Sequence, residues 1–233
     1  MGLRKMLRLR RSTAQKKAAD PVAPIFERRK SANANYPSTV RASPQPVTLD
    51  AISKFGCKDV AEFGILDGST SMEIARIIAP RGGTLHIFDF SHNVDMAIKR
   101  LADEGLTNVV GYGSTSKLMD SYNWPLSKLL EVNASPIFDY AFIDGAHTWC
   151  IDALTFFLVD RLLRAGGYVD FDDYEWSLAT SSTLTPKKFP LTSELYTEEQ
   201  IADRQVKRIV DLLVKRDRRY VEIHKDKIYR KSS

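Results

Sequence analysis

The sequence predicts an α/β fold in which a mostly parallel sheet of seven strands carries helices on both faces and closes with a C-terminal antiparallel hairpin. Three observations predict it. From Val47 onward short apolar runs alternate with amphipathic stretches, the pattern of strand–helix repeats whose strands are covered on both sides. Gly82-Gly83 and Gly166-Gly167 stand where helices should stop, because glycine supplies the left-handed backbone that closes a helix before the next strand. The last two apolar runs are separated only by a short polar turn at Lys225-Asp226, too short for a crossover helix and suited to a hairpin.

Taken in order, the strands are expected at residues 60–65, 84–88, 108–111, 138–143, 168–171, 220–224 and 227–231. Helices are expected between them at 71–78, 92–104, 151–163 and 197–216. Glu198 and Glu199 favour the positive end of the last helix, and Lys215 and Arg216 its negative end. A seven-stranded order that ends in a hairpin is unusual for a nucleotide-binding sheet.

The chain of 233 residues, 43% hydrophobic and 27% charged, suffices for one domain with a full core and leaves little for a second catalytic domain. Cys57 and Cys150 lie in apolar stretches, with no CxxC pair or Cys/His cluster of zinc spacing, which points to a reduced, cytoplasmic setting. No stretch approaches the roughly 20 apolar residues of a membrane-spanning helix, and the N-terminus lacks the apolar core of a signal peptide. Met6 stands where a myristoylation motif requires Ser or Thr.

The net charge of +5 is unevenly spread. Residues 1–30 hold ten Arg or Lys against Asp20 and Glu27, a net of +8, so residues 31–233 carry the difference, −3. Residues 1–46 therefore read as a basic arm rich in Pro, Ala and Ser, and residues 47–233 as the catalytic domain. Leu3, Met6, Leu7 and Arg10 have helical spacing and could form a short amphipathic helix in weak contact with an anionic membrane surface; a disordered solubilising or targeting arm is the favoured reading. Nucleic acid is not an expected partner, since the body is acidic and carries no aromatic-basic RNA motif.

Chemistry concentrates in four places. The segment Ala61-Glu-Phe-Gly-Ile-Leu-Asp-Gly-Ser69 leaves the first strand and enters a helix, and glycines at such a turn let backbone amides approach a ligand at the helix N-terminus. The spacing is G-x-x-x-G, not the G-x-G-x-x-G of dinucleotide binders, and any strand-to-helix turn can hold glycine. Asp89 ends the second strand, where an acid can accept hydrogen bonds from ribose hydroxyls or cap the next helix. Asp144-Gly-Ala-His147 and Asp172-Asp173 end the fourth and fifth strands, and neighbouring parallel strands present those ends to one cleft.

These motifs together resemble class I S-adenosylmethionine-dependent methyltransferases, which are Rossmann-like, and within them the metal-dependent I-D-G-x-H group that includes macrocin-type sugar O-methyltransferases. The resemblance spans the chain from about Val47 to the C-terminus. It implies that Glu62, Gly64, Gly68 and Ser69 border the methionine part of S-adenosyl-L-methionine, that Asp89 holds the ribose, and that Ser114, in the loop after the third strand, lies near the adenine, with Asp144 bordering both cofactor and acceptor. It further implies that Asp144, Asp172 and Asp173 bind a divalent cation, Mg²⁺ or else Mn²⁺ or Ca²⁺. Three carboxylates in one cleft repel unless a cation neutralises them.

The resemblance also implies that His147, with Asp144, serves catalysis as general base toward a hydroxyl of a small molecule, a sugar or an aromatic natural product. A homo-oligomer is expected. His147 also fits a structural cap of the following helix, and Asp172-Asp173 a polar strand end that positions Tyr174 with no ion bound. The long segment between Tyr174 and Tyr196 reads as an active-site lid whose Trp176 and Phe189 stack on a ring, or else as disorder or a dimer contact. A metal-independent methyltransferase, an oxidoreductase on the same scaffold and a non-catalytic binding module are the competing readings. An oxidoreductase needs a dinucleotide fingerprint or a histidine redox-metal triad, and neither is present.

Overall fold

A computed structural model describes residues 44–117 and 119–232. The basic arm and its candidate amphipathic helix lie outside these residues but for the last three positions of the arm. Helix α1 (Pro46–Lys54) opens the described chain with Pro46 in its first turn, where a missing amide leaves no bond unmade.

Strands β1 (Val60–Phe63), β2 (Leu85–Phe90), β3 (Val109–Ser114), β4 (Phe138–Ile143) and β5 (Leu163–Phe171) pair in parallel. Strands β6 (Tyr220–His224) and β7 (Ile228–Lys231) form the antiparallel hairpin, and β7 pairs antiparallel with β5. The order is β3-β2-β1-β4-β5-β7-β6. Chain progression reverses between β1 and β4, and open α/β sheets place their ligand crevice at the carboxyl ends flanking such a reversal.

Period-two alternation sorts the strand side chains onto two cores. Val60, Leu85, Ile87, Tyr140 and Phe142 pack beneath α1, α2 (Ser69–Ile78) and α3 (Ser91–Asp103). Phe63, Phe88, Ala141, Ile143 and Phe171 pack on the other face, beneath α4 (Asn123–Val132), α5 (Trp149–Leu162) and residues 206–214. Each fully buried Phe or Ile side chain contributes about 1.5–3 kcal/mol, so both helical layers are fixed to a rigid sheet.

Two local expectations differ from the structure. The pair Gly166-Gly167 does not cap α5, which ends at Leu162 and runs directly into β5. It forms a bulge between the pairs Phe138↔Leu163 and Tyr140↔Tyr168, with Gly166 at φ +84°, and within the bulged stretch Arg164 binds Asp59 and Asp139 at 2.9 and 2.6 Å. The single helix expected over 197–216 is broken into α7 (Glu198–Ala202), α8 (Gln205–Ile209) and a π-helical turn (Val210–Val214). At the break the buried Gln205 side chain donates to the Gln200 carbonyl and accepts from the Trp149 amide, satisfying backbone groups that a continuous helix would have paired differently. Helices α1 and α4 and the short α6 (Leu191–Leu195) were not expected. Pro125 masks α4 in the sequence, although a proline in the first turn is tolerated.

No helix among the described residues is long and apolar enough to cross a membrane. Cys57 is buried and its thiol is pushed up to about 12 by burial, with the nearby Asp139 charge adding to the effect, whereas Cys150 is exposed. A thiol reagent at neutral pH should therefore modify one cysteine of the folded protein and the second only in denaturant; rapid modification of both under native conditions would contradict this packing.

Candidate active site

The crevice at the sheet reversal is built around Gly64. Its φ is +84°, and a Cβ there would lie 2.1 Å from the Asp144 carbonyl oxygen, so only glycine lets the ends of β1 and β4 approach this closely. The turn then passes through Leu66 at φ +48° and Gly68 at φ +73° into α2, where Ser69 donates through both its amide and its hydroxyl to Asp67 at 3.1 and 2.9 Å.

Asp89 at the end of β2 fixes this turn. Its Oδ2 accepts from the amides of Ile65 and Leu66 at 2.8 and 3.2 Å, and its Oδ1 from Phe90 N and Asn93 Nδ2 at 2.6 and 3.0 Å. These four donors fill the lone-pair positions of a carboxylate, so ribose hydroxyls would reach it by replacing one of them. Ser114 is buried and donates to the Asp89 carbonyl at 3.3 Å. Glu62 is buried beneath the turn and accepts from Ser71 Oγ at 2.6 Å; burial pushes its carboxyl up to about 8 against the opposing Ser71 hydrogen bond.

Beside this turn the structure brings together Asp144, His147 and Asp173. His147 Nε2 lies 3.1 Å from Asp144 Oδ1 and 3.3 Å from Asp173 Oδ2, and one donor atom from each of the three residues falls within 4.8 Å of the others. His147 and Asp173 both hold left-handed backbone, φ +55° and +57°. Burial disfavours charge on the imidazole, but the hydrogen bond to Asp144 and the charges of Asp144, Asp173 and Asp152 outweigh it and raise its pKa to about 9. Burial likewise raises Asp144 to about 6, against the His147 hydrogen bond. The Trp176 ring lies 5.2 Å from the His147 ring.

Asp172 lies beside this cluster, and in addition to burial its charge helps to raise the carboxyls of Asp144 and Asp173. Its Oδ1 is 3.2 Å from Lys227 Nζ and its Oδ2 accepts from Gln45 Nε2 at 2.8 Å, so of the expected set of Asp144, Asp172 and Asp173 it is the member engaged with other partners. Lys227 also reaches the fully buried Asp170 at 3.0 Å. The sequence reading had no place for Lys227, Gln45, Tyr122 or Asp152. Asp152 alone left a signal there, as an acid in the apolar run of α5. The segment after Asp173 is folded, with Leu178 and Leu191 buried, and Phe189 is half-buried. Two shallow clefts of about 350 and 330 Å³, one lined by Phe55 and Arg164 and the other by Trp149 and Arg208, do not include any of the three clustered side chains.

Neither the comparison with protein-family models nor that with curated proteins yields a match. Solved structures do match. A Klebsiella pneumoniae protein assigned as an O-methyltransferase superposes with TM-score 0.58 at 18% identity, over 94% of this chain and 93% of that one. The chain has a methyltransferase fold. A Staphylococcus aureus protein assigned as a caffeoyl-CoA O-methyltransferase superposes with TM-score 0.54 at 18% identity, over 91% and 92%. A Podospora anserina methyltransferase bound to S-adenosylhomocysteine gives 0.53 at 14% identity, over 98% of each chain.

In this methyltransferase fold Glu62 offers a direct electrostatic test. Its folded pKa of about 8 exceeds the 4.5 of the free acid, so between those values the folded state holds a proton that the unfolded chain has lost, and stability falls as pH rises through that window. Glu62→Gln removes the titration while keeping an acceptor for Ser71. Thermal melts should show the variant more stable than the parent by at least about 4 °C near pH 8.5 and nearly matched near pH 4.5. Equal differences at both values would sink the assignment.

Proposed function

We propose that the protein is an S-adenosylmethionine-dependent O-methyltransferase acting on a hydroxyl of a small molecule, with a divalent cation held by Asp144, His147 and Asp173. The observation that carries the reading is that this acid–imidazole cluster adjoins the Gly64 turn in one crevice. The names of the structural neighbours, among them one methyltransferase holding S-adenosylhomocysteine, support the cofactor and the reaction class.

The residues fit both groups. The turn from Gly64 to Gly68 leads directly into the N-terminus of α2, a setting suited to the amino-acid part of the cofactor. Two carboxylate oxygens and one imidazole nitrogen suit Mn²⁺ as well as Mg²⁺. When bound, the cofactor supplies an electrophilic methyl group and the cation lowers the pKa of the acceptor hydroxyl.

The chain's own residues then have separable tasks. Asp144 and Asp173 hold the His147 ring from two strand ends, orienting it toward the crevice. Trp176 covers that ring and keeps water from it. The general-base task and cation ligation compete for His147 Nε2, because both need its lone pair, whereas the two carboxylates and the raised pKa keep a proton on it. With a cation on Asp144 and Asp173, Nε2 would lose that proton and become a ligand; without one, His147 would have to release the proton before it could accept that of the hydroxyl. The second arrangement is the metal-independent form of the same reaction.

Titration calorimetry of the full chain with S-adenosylhomocysteine, and electron paramagnetic resonance with Mn²⁺, test the two parts separately. Asp173→Asn, which tolerates the left-handed backbone, should weaken Mn²⁺ binding by at least about tenfold and leave S-adenosylhomocysteine affinity within about threefold. Absence of heat with S-adenosylhomocysteine would overturn the methyltransferase reading. Unchanged Mn²⁺ affinity would remove the cation from the site and leave the metal-independent reaction.

A further inference from the structure

Behind the His147 turn lies a buried polar pair that the reaction outlined above does not use. Asp152, in the first turns of α5, is 1% exposed. Its Oδ1 accepts a hydrogen bond from the Tyr122 hydroxyl, and its Oδ2 faces the His147 and Thr148 amides with no well-formed hydrogen bond among the described residues. Burial raises its pKa, opposed by Tyr122 and by the nearby positive charge and amides of the His147–Thr148 turn.

Tyr122 is itself buried, tilted against Phe63 at the end of β1 with ring centroids 5.7 Å apart. Its hydroxyl donates to Asp152 and accepts from the Ala146 amide at 3.0 Å. A Cβ on Gly145 would meet that hydroxyl at 2.6 Å and the ring carbons at 3.0 Å, so Gly145 makes room for the phenol. The phenol therefore grips the Asp144-Gly-Ala-His147 turn at the residue immediately before the left-handed His147. An acid this deeply buried with incompletely formed hydrogen bonds costs stability, and a buried polar network of this kind rigidifies the backbone it joins.

We propose that Tyr122 and Asp152 are positioning residues of the crevice: the buried phenol–carboxylate pair clamps the Gly145-Ala146 backbone and so sets the His147 ring where it meets Asp144 and Asp173. The proposal rests on the reading of that cluster as the functional centre. It assigns to the pair the role that partners behind a ligand play in orienting it, and losing such a partner weakens ion binding by roughly 10- to 100-fold.

Tyr122→Phe keeps the ring on Phe63 and Gly145 and removes only the hydroxyl. In the full chain it should weaken Mn²⁺ binding by about tenfold or more, speed hydrogen exchange of the 145–148 amides, and leave S-adenosylhomocysteine affinity within about twofold. Asp152→Asn, which retains an oxygen acceptor for the phenol, should lose less Mn²⁺ affinity than Asp152→Leu, and this pair of variants carries the test if Tyr122→Phe does not fold. A merely structural role predicts that both ligands weaken in parallel with stability, and that result overturns the proposal. So does unchanged Mn²⁺ affinity together with unchanged exchange. If the parent protein binds no Mn²⁺, the cation reading fails on its own, and exchange at residues 145–148 still decides: about tenfold faster exchange confined to that turn in Tyr122→Phe supports the clamp, and unaltered exchange refutes it.

Discussion

The contact between Gly64 and the Asp144 carbonyl constrains everything at the carboxyl edge of the sheet. Strands β1 and β4 are in register up to Phe63↔Ile143, and the Asp144 amide donates to the Phe63 carbonyl at 2.9 Å. One residue further on, the two chains are so close that any side chain on Gly64 would overlap the Asp144 backbone. Both must therefore turn away, one toward α2 and the other into the turn that carries His147. The turn into α2 and the cluster around His147 thus arise from a single steric requirement, and they adjoin each other because of it.

Electrostatics divides the acids that this geometry gathers. Asp170 and Asp172 share Lys227, and Asp170 also accepts from Tyr140 and Thr48 at 2.6 and 2.7 Å. A buried charge with that many fixed partners is structural: it ties β5 to β7 and to α1, and removing Lys227 would leave a fully buried carboxylate uncompensated. Among the described residues Asp144 and Asp173 have only His147 as a neutralising neighbour within salt-bridge distance. Even with its pKa raised to about 9 a histidine gives up its charge more readily than a lysine, so the counter-charge of these two acids is the more easily exchanged.

The sequence made the frame legible because the frame rests on local signals. Alternating apolar runs placed all seven strands, and β4 and β6 fall on the residues expected for them. Glycine spacing with terminal acids pointed to Asp144, His147, Asp172 and Asp173 at one edge. What escaped depends on long-range partners that leave no local mark. Asp172 and Asp173 are adjacent and chemically identical, and Lys227, 55 residues away, binds the first of them. Gln45 reaches Asp172 across 127 residues. The break at Asp203-Arg204 follows from where Gln205 is buried, which helical periodicity cannot register because 3.6-residue spacing continues on both sides of it.

The backbone at the cluster is strained, and contacts within the protein brace it. A non-glycine residue in the left-handed region costs on the order of 1–3 kcal/mol, and both His147 and Asp173 are there, on turns after different strands. A metal or substrate induces such a conformation only by meeting that cost from its own binding energy. Hydrogen bonds brace the conformation from several sides: Asp172 N is bound to the Ile143 carbonyl at 3.1 Å and the Trp176 amide to the Asp173 carbonyl at 2.9 Å, while Ala146 is bound to Tyr122. Strain held by hydrogen bonds on either side of the crevice is offset within the fold, so the loss of a bracing bond, such as that from Ala146 to Tyr122, would be felt first at the turn it holds.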